Sequence, residues 1–164
     1  MSKVIVTGAA GLFGSHFSRH LSSRGHDVLG IDDLSGGFRS SVDEDCLFVK
    51  MNLLNSEGLG EIFNKFNPDY VYHFAAYAAE GLSPFIRNFN YSNNVLCSAN
   101  IINECIKNDV EKVIFTSSMA VYGEGNPPFK EDQRPSPEDP YGIAKYAVEL
   151  DLEMARKQFG LKYS

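Results

Sequence analysis

A chain of 164 residues is long enough to bury a core and corresponds to one domain by the usual size of domains. Apolar residues make up 43% and charged residues 22%, as in ordinary globular proteins. The net charge of −6, with no block of lysine or arginine, argues against a nucleic-acid surface.

No apolar run of about 18 residues and no basic-then-apolar leader is visible, so a cytoplasmic chain without a membrane segment is expected. Three cysteines, Cys46, Cys97 and Cys105, are odd in number and lack metal-ligand spacing. They read as small buried residues in a reducing compartment, with no metal site.

Short apolar runs alternate with helical patterns along the chain, which points to βαβ units and a parallel sheet. Residues 3–7 read as the first strand and 13–24 as the helix after it, stopped by Gly25. Strands follow at 27–31 and 46–49, then a helix over 58–66 that must end before Pro68. Residues 70–74 form the fourth strand. A long helix is predicted over 89–107, where Val95, Ile101, Ile102, Cys105 and Ile106 recur at helical spacing. Residues 113–116 are the fifth strand. The stretch 119–140, rich in Gly, Pro and charge, reads as a loop of a length that usually carries function. A last helix covers 141–159, and "GLKYS" approaches a further strand that does not arrive. The expected fold is α/β, a doubly wound parallel sheet (Rossmann fold) in the order 3-2-1-4-5. A sixth strand is due beside the fifth, so the sheet is read as incomplete at its carboxyl end.

The stretch "VTGAAGLFGSHFSRHL" sets Gly8, Gly11 and Gly14 between the first strand and its helix. Strand, Gly-x-x-Gly-x-x-Gly and helix is the setting of a dinucleotide fingerprint. Gly8 allows the tight turn, and Gly11 lets a pyrophosphate approach the backbone and the helix N-terminus. Gly14 lets the helix press close to the sheet. Asp32 lies 18 residues beyond Gly14 at the end of the second strand, where a carboxylate accepts the ribose hydroxyls and repels a 2′-phosphate. NAD is therefore expected over NADP. In "DPYGIAKYAVEL", Tyr141 and Lys145 are four apart and share a helix face. A nearby ammonium is expected to lower the pKa of the phenol and make it a usable acid and base. Ser118 follows the fifth strand, where it can hold a substrate oxygen, with Ser117 as its rival. His73 reads as a core residue with satisfied nitrogens.

With these features in order, the sequence resembles the extended short-chain dehydrogenase/reductase superfamily. It is most similar there to the NAD-dependent nucleotide-sugar epimerases of the UDP-glucose 4-epimerase type. The segments that carry the resemblance are "TGAAGLFG", "DDLSGG", "YVYHFAA", "NNVLCSANIINEC", "VIFTSSMAVYG" and "PYGIAK". It implies that 1–164 is the NAD-binding domain with the catalytic residues Ser118, Tyr141 and Lys145, and that a substrate-binding carboxyl-terminal part is absent. Leu12 and Phe13 follow the pyrophosphate loop, and Asp32 with Asp33 meets the adenosine ribose. Asn52, with Leu53 beside it, falls where the family has an aspartate on the adenine amino group. Phe74, Ala75 and Ala76 line the cofactor, Asn93 contacts it from the next helix, and Asn94 is a competing assignment. Where relatives place a further lysine, Ala78 or Ala79 stands here. Met119 and Ala120 replace the acidic pair of the sugar dehydratases, so dehydration is disfavoured. The resemblance further implies a nucleotide-sugar substrate, epimerised at C4 through a keto intermediate, and a homodimer. The alternatives are a dehydrogenase or reductase with net redox change, and a non-catalytic NAD-binding module.

Overall fold

The structure, a computed structural model, describes residues 1–125 and 127–164. Six parallel strands form one sheet in the order β3-β2-β1-β4-β5-β6: β1 (Lys3–Thr7), β2 (Asp27–Asp32), β3 (Leu47–Lys50), β4 (Tyr70–His73), β5 (Lys112–Phe115) and β6 (Lys162–Tyr163). The helices are α1 (Leu12–Ser23), α2 (Ser56–Phe66), α3 (Arg87–Tyr91), α4 (Cys97–Lys107) and α5 (Pro140–Phe159).

Alternate residues of the central strands enter two different cores. Val4 and Val6 of β1 and Val28 of β2 pack with Leu21 of α1, beside the half-buried Phe17. Ile5, Leu29, Ile31, Val71 and Val113 face the other way, onto Leu59 and Phe63 of α2, Ile101 and Cys105 of α4, and Val148 and Leu152 of α5. A strand covered on both faces has no reason to alternate apolar with polar, which is why "KVIVT" is a nearly unbroken apolar run. Each large side chain fully removed from water, such as Phe63, contributes about 2 kcal/mol.

Local chemistry ends the helices where the sequence suggests. Asn55 caps α2 by accepting the Gly58 N–H at 3.1 Å, and Asn67 turns the chain left-handed just before Pro68. Asp139 caps α5, its Oδ1 accepting the N–H groups of Tyr141 at 2.7 Å and Gly142 at 3.0 Å, with Pro140 in the first turn.

The structure corrects the sequence reading in three places. The sixth strand does arrive: Lys162 and Tyr163 pair with Lys112 and Val113, and Ser164 N–H donates to Val113 O at 3.0 Å. Two residues are too few to leave a readable pattern. The single helix expected over 89–107 is instead α3 from Arg87, a π-helical turn at Ser92–Leu96, and α4. A widened turn shifts the helix face by about one residue, which periodicity counting absorbs as noise. The long loop holds a short 3₁₀ turn at Met119–Val121, and Pro140 already belongs to α5.

Among the described residues, no helix is long and apolar enough to cross a membrane and no group of side chains could hold a metal ion. All three cysteines are buried and free.

Candidate active site

The carboxyl ends of β1, β2 and β4 open into a cleft of about 200 Å³, at the point where the strand order reverses direction. Its walls include Gly8, Gly11, Asp32, Asp33, Asn52, Leu53, Phe74, Ala75, Ala76 and Asn93, ten of the residues singled out in the sequence. Gly8 has φ +69°, and a Cβ there would meet Ala75 N at 2.8 Å, so both its conformation and its closeness to the β4 loop require glycine. A Cβ on Gly14 would meet Ala9 Cα at 2.8 Å and Gly8 O still closer. At Gly14 helix α1 is therefore pressed against the glycine loop, while further along it packs on the sheet through Leu21. Gly11 caps α1 without a side-chain acceptor, and no acidic residue stands in the first turn. The helix thus presents free N–H groups and its positive end toward the cleft, a site for an anionic pyrophosphate.

Both oxygens of Asp32 are engaged: Oδ2 accepts Ala10 N–H at 3.0 Å and Oδ1 accepts Leu34 N–H at 2.8 Å. The carboxylate ties the glycine loop to the end of β2 and keeps lone pairs for a ribose. Asp33 accepts Ser35 N–H through Oδ1 and the Asn52 amide through Oδ2, both at 2.8 Å. Asn52 Oδ1 already accepts Leu54 N–H at 2.9 Å, so this amide is spent chiefly on holding Asp33. Two facing carboxylates would repel here, and an amide donor removes that conflict. Asn93 lines the cleft. Asn94 is buried and bonded to the backbone of Tyr77, which distinguishes the two assignments geometrically. Leu12 and Phe13 are 73% and 70% exposed and lie outside the cleft walls. The cleft also takes in Tyr77, which the sequence offers as packing or pocket lining, and Ile31, Ser35, Gly36, Gly37, Met51 and Cys97, to which the sequence reading gives no cofactor role. The pair Gly36–Gly37 was the available signal. A Cβ on Gly37 would collide with Ala10 C and O at 2.6 Å, so this loop closes over the glycine loop.

Ser118, Tyr141 and Lys145 converge on the other side of β4, beyond the carboxyl end of β5. Gly142 makes the convergence possible, because a Cβ there would strike Ala120 O at 2.5 Å. The first turn of α5 can therefore rest on the Met119–Val121 turn that Ser118 caps through Ala120 N–H at 3.2 Å. Ser117 donates its hydroxyl to Glu149, whereas the Ser118 hydroxyl accepts Ala120 N–H and turns to Tyr141. The Lys145 ammonium donates to Thr116 O at 2.8 Å and lies 4.7 Å over the Phe115 ring and 5.8 Å from the centre of the Tyr141 ring. Burial lowers its pKa to about 8.

The sequence expectation for Tyr141 is reversed. Its pKa is raised, by burial first, with Glu80 and Asp139 pushing the same way and the Ser118 hydroxyl pulling down. The ammonium is committed to Thr116 and does not offset the desolvation of a phenolate.

Under both halves lies His73, 2% exposed and with both nitrogens satisfied as expected. The Ser98 hydroxyl donates to Asn94 O at 2.8 Å, so it accepts from His73 Nε2–H at 2.8 Å. Nδ1 then accepts from the Thr7 hydroxyl at 2.7 Å, and Thr7 in turn accepts Ala75 N–H at 3.2 Å. Burial, with Lys145 nearby, holds the imidazole neutral and lowers its pKa to about 3.

The chain matches the NAD dependent epimerase/dehydratase family over residues 4–164. It is 34% identical over 163 residues to UDP-glucose 4-epimerase of Lactobacillus helveticus, covering 99% of this chain and 49% of that protein. To the UDP-glucose 4-epimerase of Halalkalibacterium halodurans it is 32% identical over 161 residues, covering 98% and 48%. Among solved structures it is similar to the Thermotoga maritima UDP-glucose 4-epimerase with UDP-glucose, with TM-score 0.95, 35% identity, and coverage of 98% of this chain and 53% of that one. It is equally similar to the Thermus thermophilus enzyme in complex with NAD, with TM-score 0.95, 34% identity and the same coverage. The chain spans about half the length of the curated relatives it matches.

Proposed function

Because the chain belongs to the NAD dependent epimerase/dehydratase family, we propose that it is the NAD-binding, proton-transferring part of an enzyme that epimerises a nucleotide sugar at C4 through a keto intermediate. The observation that carries this reading is the gathering of a phenol, an alcohol and an ammonium at the end of β5, across β4 from a glycine-walled cleft with two carboxylates on its rim. The cleft fits a dinucleotide on its own features. The open α1 N-terminus suits a pyrophosphate, and Asp32 and Asp33 suit ribose hydroxyls rather than a 2′-phosphate.

The Ser118 hydroxyl, beside Tyr141, hydrogen-bonds the sugar hydroxyl and orients it. Tyr141 then exchanges the proton of that oxygen, and Lys145 holds a cofactor ribose. With its pKa raised, Tyr141 rests protonated here; as the phenolate it takes the proton of the sugar oxygen, and the phenol so formed later returns that proton. NAD, held by the glycine loop and the Asp32–Asp33 rim, would supply a reversible hydride acceptor for the sugar carbon and a positive charge favouring the phenolate. Met119, exposed, and Ala120, buried, carry no proton to transfer, so elimination of water has no agent at this position. The substrate pocket is proposed to lie largely in sequence that the relatives have beyond this half. Exposed apolar side chains at Ile143, Leu150 and Met154 on α5, and at Phe89 and Leu96 on the elements that pack against α5, support a homodimer through these helices.

The test offers UDP-, dTDP- and GDP-sugars to the protein, at the full length its gene encodes, while following product stereochemistry and NADH absorbance. Epimer formation without NADH accumulation is expected, and Tyr141→Phe abolishes turnover while leaving NAD bound. Steady NADH release, or turnover retained in Tyr141→Phe, overturns the reading.

A further inference from the structure

A chain of buried amides links the two halves of the site, and neither the dinucleotide cleft nor the proton-transfer trio accounts for it. It starts at Tyr77, on the cleft wall. Tyr77 N–H donates to Asn94 Oδ1 at 2.8 Å, and Tyr77 O accepts from Asn94 Nδ2 at 3.1 Å. The same Nδ2 donates to Asn90 Oδ1 at 2.8 Å, and Asn90 Nδ2 donates to Pro140 O at 2.8 Å. Pro140 is the first residue of α5, and Tyr141 is the next.

Asn90 and Asn94 are each 1% exposed, so water does not compete for these bonds. A buried amide stabilises nothing that a well-packed leucine would not, unless its bonds are all made. Here every side-chain nitrogen and oxygen of the two amides has a partner, and what the amides add is direction: a fixed path from one backbone to another. The π turn Ser92–Leu96 begins two residues after Asn90 and contains Asn94; within it Asn93 stands on the cleft wall while Asn94 is buried. A second tie meets the same end of α5, where Ser83 Oγ accepts Tyr141 N–H at 3.2 Å and lies 3.2 Å from Asp139 Oδ1. Of these two ties to the first turn, the Asn90 path is the one that leads back to the cleft wall.

We propose that Asn90 is a positioning residue for Tyr141, passing the placement of the cleft wall at Tyr77 through Asn94 to the first turn of α5. The proposal rests on the nucleotide reading of the cleft. A nucleotide that fills the cleft restrains Tyr77, and the bond to Pro140 O carries that restraint to the residue before the phenol.

The test is amide hydrogen exchange on this chain with ADP as the probe, since ADP lacks the nicotinamide riboside that would reach Tyr141 directly. In the wild type, ADP slows exchange at 8–15 and also at 141–143, the latter roughly fivefold to tenfold, the scale of one hydrogen bond. In Asn90→Leu the slowing at 8–15 persists and that at 141–143 vanishes. Asn90→Asp, which still accepts from Asn94 but cannot donate to Pro140 O as a carboxylate, gives the same result. Unchanged exchange in β1 and β4 reports that each variant is folded. A purely structural role would speed exchange at 141–143 with and without ADP alike, leaving the ADP effect intact. Equal ADP protection of 141–143 in wild type and variants overturns the proposal, as does no effect there in the wild type alone. Absence of protection at 8–15 in the wild type overturns the nucleotide reading and takes this proposal with it.

Discussion

The glycine loop and the tyrosine cluster lie on either side of β4, but they are made from different materials. Between β1 and α1 the working groups are backbone N–H groups, and the residues that matter are those that keep side chains out of the way, Gly8 and Gly14. Around Tyr141 the working groups are side chains, held by partners far away in sequence: Ser83, Asn90 and Thr116. A cradle of backbone is specified locally and has little charge to titrate. A cluster of side chains is specified by tertiary contact and stores its cost in desolvated ionisable groups. Perturbing each region should therefore give different signatures, in pH dependence for one and in steric strain for the other.

The largest effect is expected from His73, on the side-chain half of that contrast. Its folded pKa of about 3 lies below the ordinary value near 6.5, so the unfolded chain binds a proton that the folded chain refuses. Its contribution to stability is complete above pH 6.5 and is lost as pH falls toward 3, on the order of 4 kcal/mol over that window. Urea midpoints measured from pH 7 to pH 4 should fall steeply in the wild type and less steeply in His73→Gln. Parallel slopes for the two would show that the imidazole does not carry this cost.

Lys145 comes next. Its folded pKa of about 8 is below the usual 10.5, so again the folded chain binds fewer protons across the interval. Stability is complete above pH 10.5 and declines as pH falls through 8, a burial cost on the order of 3 kcal/mol at neutral pH. Part of this is offset by the bond to Thr116 O and the Phe115 ring. Lys145→Met is expected to be about 1–2 kcal/mol more stable than the wild type at pH 7, and to lose the rise between pH 8 and 10. Tyr141, whose raised pKa acts above that window, does not confuse the reading. A variant less stable at pH 7 would mean that the ammonium is held by more than it costs.

Gly8→Ala probes the backbone half. The left-handed φ and the contact with Ala75 N at 2.8 Å both oppose a Cβ, and the obstacle is main chain that cannot swing aside. A loss of about 2 kcal/mol is expected, uniform from pH 5 to 9, with a matching fall in NAD affinity. A pH-dependent loss would break the contrast between the two regions.

This contrast also explains what could be read from the chain. "TGAAGLFG" and Asp32 announce themselves because a turn, a helix start and a strand end lie within thirty residues, and each demands a recognisable residue type. Tyr141 and Lys145 could be paired because a helix puts i and i+4 together. The direction of the Tyr141 pKa shift could not be read, because it depends on how far the phenol is buried and on where the Lys145 ammonium points, and both are set by β5 and the Ser118 turn. Asn90 left no signal at all, since an asparagine on a helix is unremarkable until Pro140 O is found beside it. The sixth strand was missed because two residues carry no period.

The smallest effect is expected at the rim of the cleft, where the two kinds of construction meet. Asn52 donates to Asp33 with one end and accepts Leu54 N–H with the other. Asn52→Asp keeps the acceptor for Leu54 but sets a second carboxylate against the first, at an exposed position where solvent and ions screen the repulsion. Folding stability should barely change. Affinity for the anionic cofactor should fall about threefold at low salt and recover at 0.5 M salt, where the screening length is only about 4 Å. A loss that persists at high salt would mean that Asn52 reaches the nucleotide through its own amide, and that holding Asp33 is the lesser part of what it does.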